Sequence, residues 1–197
     1  MRYDEEILNL LEKNNGTITS SQVTELKIPR YYLADMVSEG IIYKTERGIY
    51  VKPDLWEDEM YILQLQYSRG IFSNETALYL HSMTDRTPIS FTMTFPRGYN
   101  SKSIKDKNIQ VRYAIRDIYN LGATSILSPC GNELKVYNVE RTLCDIVKGN
   151  NSSDIQVVNQ AMKEYAASKE KDMNKLLDYA ETLRVKQKVL KYMEVLL

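Results

Sequence analysis

The sequence predicts an α+β protein: three short helices and a hairpin, then a larger mixed domain with a small β-sheet and a helical C-terminal part. Three observations carry this expectation. Apolar residues recur at helical spacing three times before Gly40, and two β-branched and aromatic runs then bracket a Gly-containing turn. Beyond Pro53, strict apolar alternation appears and gives way to helical periodicity up to Leu196.

The first helix is expected over Asp4 to Lys13, where Ile7, Leu8, Leu10 and Leu11 supply the apolar face and Asn14-Asn15-Gly16 ends it. Thr17-Ile18-Thr19 is a brief extended step, and Ser20 or Ser21 can cap a short helix with Val23 and Leu26 inward. Lys27-Ile28 is the turn. Pro29 suits the first turn of a third helix, because its missing N–H would have no intrahelical partner there, and Gly40 suits the exit. Leu33, Met36 and Val37 form the buried stripe of that helix. At about 100° per residue, Tyr31, Asp35 and Ser38 fall opposite, with Tyr32 and Ala34 on the flanks and Arg30 at the N-terminal end. Ile41 to Lys44 and Gly48 to Lys52 bracket Thr45-Glu46-Arg47 as a hairpin. This order of elements is a winged helix-turn-helix over residues 1–52, and Pro53-Asp54 marks its end.

Residues 56–197 form the expected second domain, starting with helices near Glu57 to Arg69, led by Trp56, Met60, Leu63 and Tyr67, and Asn74 to His81. Ile89, Phe91, Met93 and Phe95 alternate with Ser90, Thr92 and Thr94, so one face of this strand is expected to be buried. Ile109, Val111 and Tyr113 alternate likewise, as do Leu134 and Val136, for a sheet of about three to five strands. Asn138 has the position of a helix cap. Ile155, Val158, Met162 and Tyr165, then Leu176, Leu177, Ala180 and Leu183, then Val185, Val189, Met193 and Leu196 mark three helical faces.

Composition narrows the function classes. The 197 residues are 43% hydrophobic and 26% charged, as a folded chain requires. Lys plus Arg and Asp plus Glu both total 26, so a nucleic-acid surface must come from where charges sit. Cys130 and Cys144 are the only cysteines, without a CxxC and with a single histidine, which argues against a disulfide framework and a structural zinc site. Met1 to Glu6 lacks the order of a secretory signal, and no apolar run approaches the roughly 20 residues that span a bilayer. A cytoplasmic protein without membrane contact is expected.

The helix-turn-helix carries the sharpest functional pattern, since the DNA major groove, about 12 Å wide, accepts one helix on a rigid support. Arg30 can reach a phosphate or a guanine edge, and Tyr31 and Tyr32 can donate hydroxyls to phosphates. Lys44 and Arg47 on the wing can grip the adjacent backbone, with Lys27 and Arg2 as secondary candidates. The competing reading is a protein-interaction module, because residues 1–52 hold seven basic residues against eight acidic ones, and Asp35 and Glu46 sit on or near the proposed face. A second basic feature runs through Arg97, Lys102, Lys105, Lys107, Arg112 and Arg116 against Asp106 alone. Gly98, Asn100, Ser101 and Ser103 there also fit a solvated loop. Arg184, Lys186, Lys188 and Lys191 make the last helix basic, and positive charge toward a helix C-terminus relieves its dipole without a partner.

Catalytic sets are scarce. His81 lies on an apolar helical stretch beside Leu78 and Leu80, and no triad or phosphate-binding Gly loop accompanies it. Glu133-Leu134-Lys135 contains the E-x-K half of a metal-dependent nuclease motif, a third reading. Cys130, in the turn Ser128-Pro129-Cys130-Gly131, and Cys144, on an apolar helix face, lack a neighbouring histidine in sequence to activate them. The expectation is a protein that is not an enzyme, with no catalytic residue, metal site or cofactor.

Several landmarks follow in a recognisable order: Arg47-Gly48-Ile49-Tyr50, Ala77-Leu78-Tyr79-Leu80-His81 with Thr84-Asp85 and Pro88, Phe95-Pro96-Arg97-Gly98, and Glu140-Arg141-Thr142-Leu143-Cys144-Asp145. In these the chain resembles, over most of its length, the AbiEi family of bacterial abortive-infection antitoxins. The resemblance implies a winged-helix domain that binds promoter inverted repeats and represses its own operon. It also implies a larger domain that counters a nucleotidyltransferase-like toxin, often in phage defence, by antagonism without a stable toxin complex. Glu140, Arg141 and Asp145 can cap or pair within one helix and receive no catalytic role.

Overall fold

The structure, a computed structural model, describes residues 2–53, 57–104, 107–148 and 153–196. The chain divides into two compact units, Met1–Ser68 with Leu127–Leu134, and Arg69–Ile126 with Lys135–Leu197.

The first unit begins with α1 (Arg2–Lys13), β1 (Thr17–Thr19), α2 (Ser20–Glu25), α3 (Tyr31–Ser38), β2 (Tyr43–Glu46) and β3 (Ile49–Val51), the expected order. The strands make a three-stranded antiparallel sheet, β1-β3-β2, in which Thr17 and Tyr43 both register with Val51. Ile7, Leu11, Ile18, Val23, Ile28, Leu33, Met36 and Ile42 close one core, so all three helices and β1 contribute to it.

Three local expectations are corrected. The cap of α2 is Thr19 rather than Ser20 or Ser21: its side chain accepts the Gln22 N–H at 3.2 Å, and the Gln22 side chain accepts the Thr19 N–H at 2.7 Å. Thr19 ends β1 and caps α2 together because its extended backbone, φ −113° and ψ 152°, satisfies both. Leu26 is exposed, because α2 stops at Glu25 and Leu26 is already its C-cap. Ile41 and Ile42 precede the hairpin, Ile42 being spent on the core, and pairing runs instead from Tyr43 to Glu46 with a register shift between Lys44 and Glu46 that passes over Thr45.

Next comes α4 (Glu59–Gln66), shorter than the expected helix; Asp54 and Trp56 lie outside the described residues. Ile62 packs with Ile49 and Val51. Asp58 is buried and fully engaged: Oδ1 accepts the Tyr61 N–H at 3.1 Å, and Oδ2 accepts from Asn132 Nδ2 at 2.8 Å and from the Ser128 hydroxyl. Asn15 Nδ2 donates to Gly131 O and Asn132 Oδ1, both at 3.2 Å.

The second unit is organised on a five-stranded sheet of order β6-β5-β4-β8-β7, made of β4 (Ile71–Phe72), β5 (Phe91–Pro96), β6 (Ile109–Ala114), β7 (Ala123–Leu127) and β8 (Glu133–Tyr137). β4 pairs antiparallel with β5 and parallel with β8, and β5 pairs parallel with β6. Burial on one face of β5 was expected, yet Thr92 and Thr94 are buried along with Met93 and Phe95. The strand is interior, and α5 (Asn74–Leu80) with its N-cap Ser73 supplies partners for its polar side: the Thr92 N–H donates to Thr76 Oγ1 at 2.8 Å, and Thr94 Oγ1 donates to Ser73 Oγ at 2.9 Å. Ile89 falls before the strand and is 94% exposed.

A short α6 (Arg116–Asn120) follows β6, and α7 (Val139–Ile146), α8 (Ile155–Ala167), α9 (Met173–Thr182) and α10 (Lys186–Leu196) form the helical end. Asn138 caps α7 as expected, accepting the Arg141 N–H at 3.0 Å. Leu143, Cys144, Val158, Met162, Leu176, Leu183, Val189 and Met193 share its core. Ile155, expected inside, is exposed because it opens α8. Arg141 is 3% exposed and pairs with Asp145 within α7 at 2.9 Å. Glu140 instead leaves its helix, meeting Lys175 Nζ at 3.2 Å and the Tyr165 hydroxyl at 3.3 Å.

Candidate nucleic-acid interface

The residues that could meet DNA are brought together by the turn between α2 and α3. Lys27 makes this turn at φ 60°, in the left-handed region, which lets Ile28 fall into the core and leaves Lys27 and Arg30 exposed. Arg30 is the N-cap of α3 without a side-chain cap bond, so the partial positive charge of that helix end is not answered by a side chain. Its Nε donates to Thr24 Oγ1 at 2.8 Å, while Thr24 Oγ1 donates to Ser20 O at 2.8 Å. The guanidinium is thereby aimed from α2, and two of its nitrogens remain for an acceptor such as a phosphate or a guanine edge.

Tyr31 is 57% exposed at the start of α3, opposite the buried Leu33 and Met36, and Ala34, Asp35 and Ser38 share the open side. Val37, assigned to the stripe, is half-buried. The rings of Tyr31 and Tyr32 stack at 4.3 Å between centroids, and Tyr3 of α1 meets Tyr32 edge-on at 5.1 Å. The hydrogen bond its hydroxyl donates to Tyr31, followed by burial, pushes the Tyr32 phenol up to about 12, so it is a neutral hydrogen-bonding group at physiological pH. Tyr3 was not among the sequence candidates, since only the packing of α1 on α3 puts it there. Thr24 was missed for a similar reason. Tyr43, exposed on β2, could have been found from its place in the wing.

Arg47 lies exposed at the wing turn and Lys44 exposed on β2, where it registers with Tyr50. The turn depends on Gly48, at φ 75°: a Cβ there would stand 2.8 Å from Ser20 Oγ, and the Ser20 N–H donates to Gly48 O at 2.8 Å. The base of the wing is thus seated on the start of α2. The side chain of Arg2 lies outside the described residues. Four of the eight acidic residues in 1–52 (Asp4, Glu5, Glu6 and Glu12) belong to α1, so the segment from the turn onward is less acidic than the module as a whole.

The other sequence candidates lie elsewhere. His81 is held by burial below its ordinary range, with Nε2 and Tyr137 O at 2.8 Å; since the carbonyl only accepts, Nε2 is the donor. Burial pushes the Cys144 thiol up to about 12, and Cys130 is exposed. Glu133 and Lys135 are exposed on β8, and among the described residues no group of three or more His, Cys, Asp or Glu could hold a metal ion. Arg97, Lys102 and Arg116 are exposed; Lys105 and Asp106 lie outside the described residues. On the basic last helix, Lys186 pairs with Glu181 at 2.9 Å and Lys188 donates to Val147 O at 3.1 Å.

Three helices, an extended step and a wing in this order define a winged helix-turn-helix of the kind found in transcriptional regulators. Residues 5–51, the N-terminal region, match the family model described as transcriptional regulator, AbiEi antitoxin. No curated protein matches the sequence. Among solved structures, the crystal structure of the RV2827C protein from Mycobacterium tuberculosis is similar at 12% identity and a TM-score of 0.62, covering 98% of this chain and 77% of that one. At that identity the likeness concerns the fold. Among the described residues no helix is long and apolar enough to cross a membrane.

Proposed function

We propose that this protein binds duplex DNA through α3 and the wing, represses its own operon from promoter inverted repeats, and acts in the cytoplasm as the antitoxin to a nucleotidyltransferase-like toxin in abortive infection and phage defence. The observation that carries the reading is the Arg30-Tyr31-Tyr32 row, exposed at the uncapped start of α3 and braced by Thr24 and Tyr3, within the region matched to a regulator family. Arg30 and Tyr31 then enter the groove, while Lys27, Lys44, Arg47 and, from α1, Arg2 track phosphates. One such module spans a short half-site, so two copies occupy one operator. Activity against the toxin is assigned to the second unit, with no enzymatic step.

The deciding experiment compares the full chain on promoter duplex and on a scrambled duplex across a salt series at near-physiological ionic strength. Specific binding appears as a preference of at least about 10³ for the operator. Equal affinity for the two would end the regulator reading and favour a protein-interaction module, which the excess of acidic over basic residues in 1–52 would then explain.

A further inference from the structure

Two cavities in the second unit, of about 480 Å³ and 470 Å³, share Asn74 and Arg112 in their walls. We propose that they form one site for an organic phosphate of mononucleotide size, an inference that does not rest on the DNA-binding reading.

Asn74 is the first sign. It is only 9% exposed and lines both cavities, yet among the described residues its carboxamide has no hydrogen-bond partner. Several polar groups along the same walls are engaged: Thr94 with Ser73, the Thr92 N–H with Thr76, and Gln110 Nε2 with Ser90 Oγ at 2.9 Å. A carboxamide without protein partners that opens on two cavities is placed for a ligand to which it can both donate and accept. Asn74 itself stands at φ 52°, in the left-handed region that asparagine enters more readily than most residues.

The walls indicate what the ligand is. Arg86, Arg112, Arg141 and Lys148 face the two cavities against Glu75 and Asp145, so the site is net positive and selects an anion. Asp145 is neutralised by Arg141 at 2.9 Å, and Arg86 is steadied by Asp154 at 3.1 Å and Gln156 at 2.8 Å. The first cavity also has an apolar lip of Pro88 and Ile89, the latter 94% exposed. Such a side chain beside a polar cavity gains burial when a flat ring covers it. Thr87, Ser90 and Ser153 offer hydroxyls along the same wall, suited to a sugar. A cationic end, a hydroxyl wall and an apolar lip describe a phosphate ester bearing a sugar and a planar ring, and each cavity is of ordinary ligand size.

Calorimetric titration of the full chain with AMP, GMP, CMP and UMP, beside adenosine and inorganic phosphate, tests the assignment. At least one mononucleotide should bind in 1:1 ratio more tightly than about 1 mM, with adenosine and inorganic phosphate each at least about tenfold weaker. Asn74→Gly removes the carboxamide while easing the left-handed backbone, so the thermal midpoint should hold while nucleotide affinity falls about tenfold. The proposal is overturned if none of the four mononucleotides saturates near 1 mM, if inorganic phosphate binds as tightly as the best nucleotide, or if Asn74→Gly binds it as the native chain does.

Discussion

The two sheets of this protein differ in how far along the chain their strands reach for partners. In the three-stranded sheet every strand belongs to the first 51 residues, and Ile49 and Val51 pack with Ile62 of α4, the next helix in the chain. In the five-stranded sheet Phe72 pairs with Val136, and β5 lies between strands that come before and after it in sequence. Local closure lets one face of each element be read from periodicity; distant closure buries both faces and removes the signal. The same contrast sets the kind of polar residue each region tolerates. The first module keeps Arg30 and Arg47 at its surface, whereas the second unit encloses Arg141, Glu140 and Thr142.

The largest expected effect is in the enclosed network. Arg141 binds Asp145, donates to Leu121 O at 2.8 Å and to Ile118 O, and lies over the Tyr137 ring at 4.2 Å. Arg141→Ala should cost about 3–5 kcal/mol in denaturant unfolding, because Asp145 and two carbonyls lose their partner. A loss below about 1 kcal/mol would show that the second unit does not depend on this group.

Next is the surface row of the first module. Tyr31→Ala should lower operator preference over scrambled DNA by about 1–3 kcal/mol, whereas Arg47→Ala should weaken both duplexes alike and reduce the salt slope by about one charge. A selectivity loss from Arg47→Ala with none from Tyr31→Ala would reverse the two roles. Gly48→Ala should destabilise the module by about 1–2 kcal/mol through its positive φ, with the Ser20 contact adding to that. An unchanged unfolding midpoint would mean the wing base relaxes freely.

The smallest effect is a pH dependence. Burial holds the His81 pKa below the ordinary 6.5, against the opposing pull of the Tyr137 carbonyl and the Glu140 charge. As pH falls from about 7, the unfolded chain takes up the proton first, so stability drops until the folded group titrates as well. His81→Gln, which keeps a donor for Tyr137 O, should flatten that part of the stability profile. An unchanged slope would assign it to other groups.

What the sequence made legible follows the same contrast. The order of α1 to β3, the exposed faces of Tyr31 and Asp35, and the Asn138 cap each depend on residues within a few turns of one another. Thr92 and Thr94 misled, since hydroxyls mark an open face unless partners such as Thr76 and Ser73 are known to cover it. β4 has two residues, and the Ala-Thr-Ser start of β7 carries no apolar period, so neither strand had a pattern to find. Tyr3 and Thr24 join the candidate interface only through packing and a hydrogen bond, as Asn74 joins its cavities only through the fold.

Asp58 has a consequence for how the chain is made. Its carboxylate caps α4 at once, but two of its partners, Ser128 and Asn132, follow 70 and 74 residues later. At roughly 5–20 residues per second on a ribosome, that interval lasts roughly 4–15 s. In the course of it the winged helix leaves the exit tunnel with its own core complete in sequence, while the Asp58 carboxylate is still hydrated. The regulator domain can therefore form first on the nascent chain, and the segment around α4 reaches its final state only when residues 127–134 emerge.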